Sequence, residues 1–225
     1  LLGIYIPIIR PYVLWKYFRE HPEMSSKAVF YCDSDVLPDK LEEYKTRDVL
    51  SEIISVVGCS REVAEAHNEH SGGAQYLLKN IDAAFWSKRI NDCILVRSYL
   101  QKINREFFES ESKGFQSWCA DMWALLWNLW VRDAETRVVP EMGFSWAPDP
   151  ITKLETHPIL HNAGITSPTM DGVPHFYKGK YHKGANPMVD SHLDVVLADE
   201  KAKLKCTWYY TNELVKLKNK YNLNY

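Results

Sequence analysis

Ala28-Val29-Phe30-Tyr31-Cys32-Asp33-Ser34-Asp35 is the stretch on which the fold turns. Its first five residues form a short apolar run rich in strand formers, which predicts a buried strand. Two carboxylates then follow, two residues apart. Residues at that spacing share one side of a strand. Where the strand ends, both can turn toward one hard cation. Oxygen ligands of this kind suit Mn²⁺ or Mg²⁺, which in turn would hold a diphosphate. A divalent ion neutralises such a leaving group directly. The same Asp-x-Asp also serves as a loop cap, and the pair alone does not choose between these roles.

Outward from that stretch, the chain alternates helical and extended patterns. Upstream, Arg10-Pro11 opens a helix, because proline loses no donor in a first turn. Val13, Leu14, Tyr17 and Phe18 fall on one side of it. His21-Pro22 ends it, since the residue before proline avoids the α region. Downstream, Ile53–Val57 predicts a second strand. Ser71-Gly72-Gly73 predicts a turn, followed by an extended Ala74–Leu78. A long helix starts at the N-cap Asp82 and carries Phe85, Trp86, Ile90, Cys93, Ile94, Leu100, Ile103 and Phe107. Asn91-Asp92 is the place where it would break. Trp118–Val131 is apolar nearly all round, which predicts a buried helix, with Asp121 as the acid near its start. Val138-Val139 and Ile159–His161 predict short strands. Segments 140–158 and 165–190 are rich in Pro, Gly, Asn and Asp and predict loops. A last helix runs from Thr207 through Leu214, Val215 and Leu217.

Composition narrows the classes. The chain has 225 residues, 46% of them hydrophobic, enough for one sizeable core. Its 27 basic and 29 acidic residues leave a net charge of −2, which carries no footprint for nucleic acid. Lys201, Lys203 and Lys205 read as a solvated face. The eight Trp and thirteen Tyr fit a core first, and sugar-facing rings second. The five cysteines, at 32, 59, 93, 119 and 206, form no CxxC pair. They predict buried free thiols in a reducing, cytoplasmic setting. No run of eighteen apolar residues predicts a membrane span. Leu1–Pro7 lacks a basic leader and an initiating Met, which predicts that it is no signal peptide and that the chain starts inside a longer protein.

Taken in order, the Arg10-Pro11 helix, the strand ending in Asp33-Ser34-Asp35, Ser71-Gly72-Gly73-Ala74-Gln75, the helix with Asp121-Met122-Trp123, and Leu160-His161-Asn162-Ala163-Gly164 resemble GT-A-fold, DxD-type nucleotide-sugar glycosyltransferases. The resemblance covers about residues 10–165. It implies an α/β fold, Rossmann-like, in which a mixed, mainly parallel sheet with Val29–Cys32 at its centre is flanked by helices. Residues 1–225 would form a single domain, with 165–225 as a loop and helical C-terminal extension. Only nine residues precede Arg10, so the base-binding strand expected upstream would be missing from the chain.

The implied activity is metal-dependent transfer of a sugar from a nucleotide-diphosphate donor, a UDP-sugar, to a hydroxyl of a glycan or other acceptor. Asp33, Asp35 and His161 would hold Mn²⁺ or Mg²⁺, with His157 a weaker ligand. Arg10, Ser34, Gly72, Gly73, Gln75 and Lys178 would border the donor. Asp121 would act as catalytic base or hold a sugar hydroxyl. Trp118 and Trp123 would form an acceptor platform.

Each residue also has a plainer role. Asp121 suits a helix N-terminus, where the dipole favours negative charge. His161 fits a hydrogen-bonded strand end, Gly72 and Gly73 a simple turn, the tryptophans a core, Lys178 a solvated loop, and Arg10 local bonds. Two other classes stay open. A haloacid-dehalogenase-like phosphatase would use Asp33 as nucleophile and Asp35 as acid. Val36-Leu37-Pro38 departs from the small-residue turn expected there, and no later Asp-Asp pair follows. A non-enzymatic α/β binding domain would make the acidic loop incidental.

Overall fold

The computed structural model describes residues 9–32, 49–67, 75–108, 114–137, 139–181 and 185–223. The chain divides into two compact units, Leu1–Val138 and Val139–Tyr225.

The first unit is built on helices. Two of them make its centre, α4 (Ala83–Phe107) and α5 (Ala120–Val131). The side chain of Asp82 caps α4 by accepting from the Phe85 N–H at 2.8 Å, as its position before the apolar pattern predicts. At 25 residues, α4 is about 37 Å long. It runs through Asn91-Asp92 without a break. Residues Ala120–Trp130 of α5 are all buried. A helix apolar on every side has to lie inside, because any exposed face would leave large rings in water.

Helix α1 (Ile9–Glu20) lies on one side of this pair. Pro11 sits in its first turn, where a missing N–H costs nothing. Phe18 packs against Trp86 with ring centroids 6.1 Å apart, and Leu14 and Trp15 join the same apolar cluster. Val13 and Tyr17, expected on the same side as Leu14 and Phe18, instead face outward. The apolar arc of this helix is wider than the surface it covers.

Two short helices, α2 (Val49–Ser55) and α3 (Arg61–Ala66), cap the other side of the core. These helices and the turn between them contribute Ile53, Ile54, Val57, Cys59 and Ala64. Strand β1 (Val29–Cys32) pairs antiparallel with β2 (Gln75–Leu78), with Val29 opposite Leu78 and Cys32 opposite Gln75.

In the second unit, β3 (Phe144–Trp146) and β4 (Ile159–His161) form a parallel pair. β5 (Thr169–Met170) and β6 (Val173–Pro174) form a hairpin. Its turn, Asp171-Gly172, takes φ of 52° and 71°, the left-handed pair that a tight hairpin requires. Helices α6 (His192–Ala198) and α7 (Cys206–Tyr221) complete the unit. α7 is anchored where the Cys206 and Thr207 N–H groups donate to the carbonyls of Asp149 and Ala147 at 2.9 and 2.8 Å.

This architecture overturns the expected α/β sheet. Among the described residues each strand has a single partner, and three two-stranded pairings replace the mixed, mainly parallel, GT-A-like or Rossmann-like sheet. Val29–Cys32 is one side of a two-stranded ribbon, not a central strand. Ile53–Val57, expected as a strand, starts inside α2 and ends in the turn after it. A run of four or five apolar residues suits a ribbon, a sheet or a helix equally well. Ile53, Ile54 and Val57 are in fact spaced for one side of a helix. Val139 lies just before a 3-10 turn at Pro140–Met142 rather than in a strand.

Candidate functional site

The first unit buries a charged cluster where α1, α4 and α5 meet. Asp121, in the first turn of α5, accepts a hydrogen bond from Arg10 of α1 at 3.0 Å. Its side chain is 2% exposed and that of Arg10 is 33% exposed. Arg89 of α4, fully buried, donates through Nε and Nη2 to the Asp121 carbonyl at 3.2 and 2.9 Å. Its Nη2 also lies 3.8 Å from the Asp121 carboxylate. Burial pushes the Asp121 carboxyl above its ordinary range. Arg89, Arg10 and the N–H groups of Asp121 and Met122 pull it back. A buried carboxylate would otherwise be too costly to keep. The cluster thus ties the start of α1 to the start of α5.

A second polar group joins exposed Lys88 to the buried Asp92 and Asn128. Lys88 donates to Asp92 at 2.5 Å, to Asn128 at 2.7 Å and to the Val57 carbonyl at 2.9 Å. Asn128 in turn donates to Asp92 and to the Ala124 carbonyl, both at 2.7 Å. This network satisfies Asp92 and Asn128, which α4 and α5 bring into the core.

The opposite side of α1 has another character. Ile9, Tyr12, Val13 and Tyr17 are 50%, 51%, 55% and 43% exposed. At steps of three and four residues they line one stripe of a helix. Exposed Lys16 and Glu20, four residues apart, sit within that stripe, and Lys16 has no hydrogen-bond or ion-pair partner among the described residues. Arg19, also exposed, lies over the Trp15 ring at 4.4 Å and 3.9 Å from Glu20. The inner side of α1 is fixed by Phe18 and Arg10, so the outer stripe is held in place without being covered.

The residues expected to form a site fall in different places. Asp33, Ser34, Asp35, Gly72 and Gly73 lie outside the described residues. Gln75 opens β2 and is buried. Arg10 and Asp121, 111 positions apart, are brought together as an ion pair. Trp118 is exposed in a 3-10 turn, while Trp123 is buried in the core, where Trp127 packs 5.3 Å from it. His161 and Lys178 belong to the second unit. His161 ends β4, buried, with its ring stacked on Trp146 at 5.2 Å and Phe144 edge-on at 5.0 Å. His157 offers its carbonyl to Ser145 at 2.8 Å. Lys178 is exposed at the start of a 3-10 turn.

Arg89 was missed, and the sequence held a signal for it. It interrupts the inward series Phe85, Trp86, Cys93, Val96 and Leu100, four residues from both Phe85 and Cys93. A charge within such a stripe needs a buried counter-charge.

The glycosyltransferase expectation does not hold on this fold. It requires an extended sheet that presents the Asp-x-Asp loop at its carboxyl edge. The chain instead supplies helices and isolated strand pairs. Among the described residues no three His, Cys, Asp or Glu side chains gather where they would hold a metal ion. The nucleotide-sugar donor and glycan acceptor fall with that assignment. So do the dehalogenase-like phosphatase and the α/β form of a binding domain, which need the same kind of sheet. Among the described residues no helix is long and apolar enough to cross a membrane. In comparisons with protein families, with curated proteins and with solved structures, the chain matches none.

Proposed function

We propose that the first unit is a docking module that engages a larger partner through the outer face of α1. The observation that carries this reading is the stripe Ile9, Tyr12, Val13 and Tyr17, half-exposed along a helix whose inner side is locked into the core. Single exposed apolar side chains are ordinary, whereas four in one stripe make a contiguous patch of the kind that marks interaction sites. The anchoring also favours docking. A helix already ordered by Phe18 and by the Arg10–Asp121 pair loses little freedom on binding, which lowers the cost of association.

A photoreactive p-benzoylphenylalanine placed at position 13, and separately at the exposed position 62 of α3, tests the proposal. Irradiation in an extract of the native host is expected to give adducts from position 13 and few from position 62. Equal yields at the two positions, or none at either, would count against docking by α1.

A further inference from the structure

We propose that the distal half of α7 is a self-association surface, on which a second copy of this chain lays its own α7 in parallel to form a short two-stranded coiled coil. This surface is separate from the α1 face, and the inference stands whether or not α1 docks.

The spacing of side chains comes first. Thr207, Tyr210, Leu214, Leu217 and Tyr221 recur at steps of three, four, three and four, the seam of a heptad. The second unit covers only the start of that seam. Thr207 is buried, and its hydroxyl accepts from the Phe176 N–H at 3.1 Å. The Tyr210 ring lies 5.3 Å from the Phe176 ring. No residue of α7 after Thr211 is buried, and Leu217 and Tyr221 are exposed. Half-buried Leu214 links the two parts. The seam itself carries no charge. The exposed end is also a finished helix. Asn222 closes it with φ of 53°, and the Leu223 N–H donates to the Lys218 carbonyl at 3.0 Å. A helix already ordered loses little freedom when it pairs.

Charge then selects the partner. In a parallel pair the residue just before Leu214 meets, on the other copy, the residue five positions further on. In α7 these two are Glu213 and Lys218, opposite in sign, so a second copy supplies the match twice over. Lys218 has no ion-pair partner among the described residues. Glu213 holds Lys216 through Oε1 at 2.7 Å, which leaves Oε2 to accept from a second lysine. The surplus charge of Lys216, Lys218 and Lys220 opposes pairing, and the negative end of the helix dipole offsets part of it.

The covered start of the seam sets the direction. In a parallel pair Leu214, Leu217 and Tyr221 each meet their own counterparts. An antiparallel pair would press Tyr221 onto Tyr210, which Phe176 already covers. Three layers make a smaller interface than the roughly 800 Å² per partner of a standard complex. The pair therefore forms only as concentration rises.

The test is analytical ultracentrifugation of the purified chain over a concentration series. The expected result is a mass that climbs from one chain toward two. Leu217→Asp should weaken association by more than about tenfold, because it sets a carboxylate in the seam. Glu213→Lys and Lys218→Glu should each weaken it several-fold, since each variant pairs like charges with itself. An equimolar mixture of the two restores both opposite pairs and should associate more tightly than either alone. Val13→Asp, on the α1 face, should leave association unchanged. An unchanged melting temperature would show that each variant folds. A single-chain mass at every concentration, undiminished association of Leu217→Asp, or a mixture no tighter than its components would overturn the proposal. Association lost in Val13→Asp and kept in Leu217→Asp would move the contact to α1 and equally end it.

Discussion

At the scale of single residues, the decisive feature is Arg89. It is fully buried, and its guanidinium does most to hold the Asp121 carboxyl down against the rise that burial causes. Arg89→Met removes that influence and leaves the carboxylate in a poor environment. The expected loss at neutral pH is about 3–5 kcal/mol, measured by urea unfolding. The sign of its pH dependence follows from the direction of the shift. A carboxyl raised in the folded chain contributes most below its unfolded value, near 3.8, and loses that contribution as pH rises through the folded value. The deficit of Arg89→Met should therefore shrink as pH falls toward 4. A deficit that stays constant with pH would show that Arg89 acts by packing alone.

His175 behaves in the opposite sense. Burial, and then Lys205, hold its imidazole below the ordinary value of 6.5, and its Nδ1 has no hydrogen-bond partner among the described residues. The unfolded chain therefore binds a proton more readily than the folded one. Stability is complete above about pH 6.5 and falls as pH drops toward the folded value. His175→Gln should flatten that acid limb, read as the difference between the two unfolding curves. Superimposable limbs would assign the acid sensitivity elsewhere.

At the scale of elements, α5 holds the first unit together. Leu125 is completely buried between α1, α4 and α5. Leu125→Ala should cost about 2–5 kcal/mol in chemical denaturation, from lost transfer energy and the cavity left behind. Asn128→Ala should cost about 1–3 kcal/mol, because it strips Lys88 and Asp92 of a shared partner. A loss below about 0.5 kcal/mol for Leu125→Ala would mean that the helix repacks around the gap.

These same elements show where sequence reasoning succeeds. Helix α4 was legible from the Asp82 cap and the apolar period after it, and α5 from unbroken apolarity. In both, a local pattern states its own requirement. β1 was legible as extended, but nothing in Val29–Cys32 says whether its neighbour is a ribbon or a wide sheet, since pairing is decided by distant residues. α2 was taken for a strand because four apolar residues in five hid a helical spacing.

At the scale of the whole molecule, function was the least legible property. Asp33-Ser34-Asp35 suggested a metal site, but those three residues lie outside the described ones, and the wide sheet that the glycosyltransferase reading placed behind them is replaced by separate strand pairs. The Arg10–Asp121 contact was half legible: both residues stood out, yet their partnership depends on α1 crossing the start of α5. The outer face of α1 was misread because Val13 and Tyr17 share the apolar character of Leu14 and Phe18. Only packing separates the two pairs.

Four described cysteines, Cys59, Cys93, Cys119 and Cys206, are buried thiols that take part in no disulfide. Burial pushes the Cys93 thiol up to about 12, and it raises Cys59 and Cys206 as well. None of them should react with a disulfide reagent at neutral pH until the chain around it opens, because the thiolate is the reactive form. Three of these sulfurs sit in the first unit and one in the second, so the chain carries its own clocks. Pulsed alkylation followed by mass mapping would time the opening around Cys93 separately from that around Cys206. It would do so without an introduced label. Unequal rates would reveal that the two halves breathe independently.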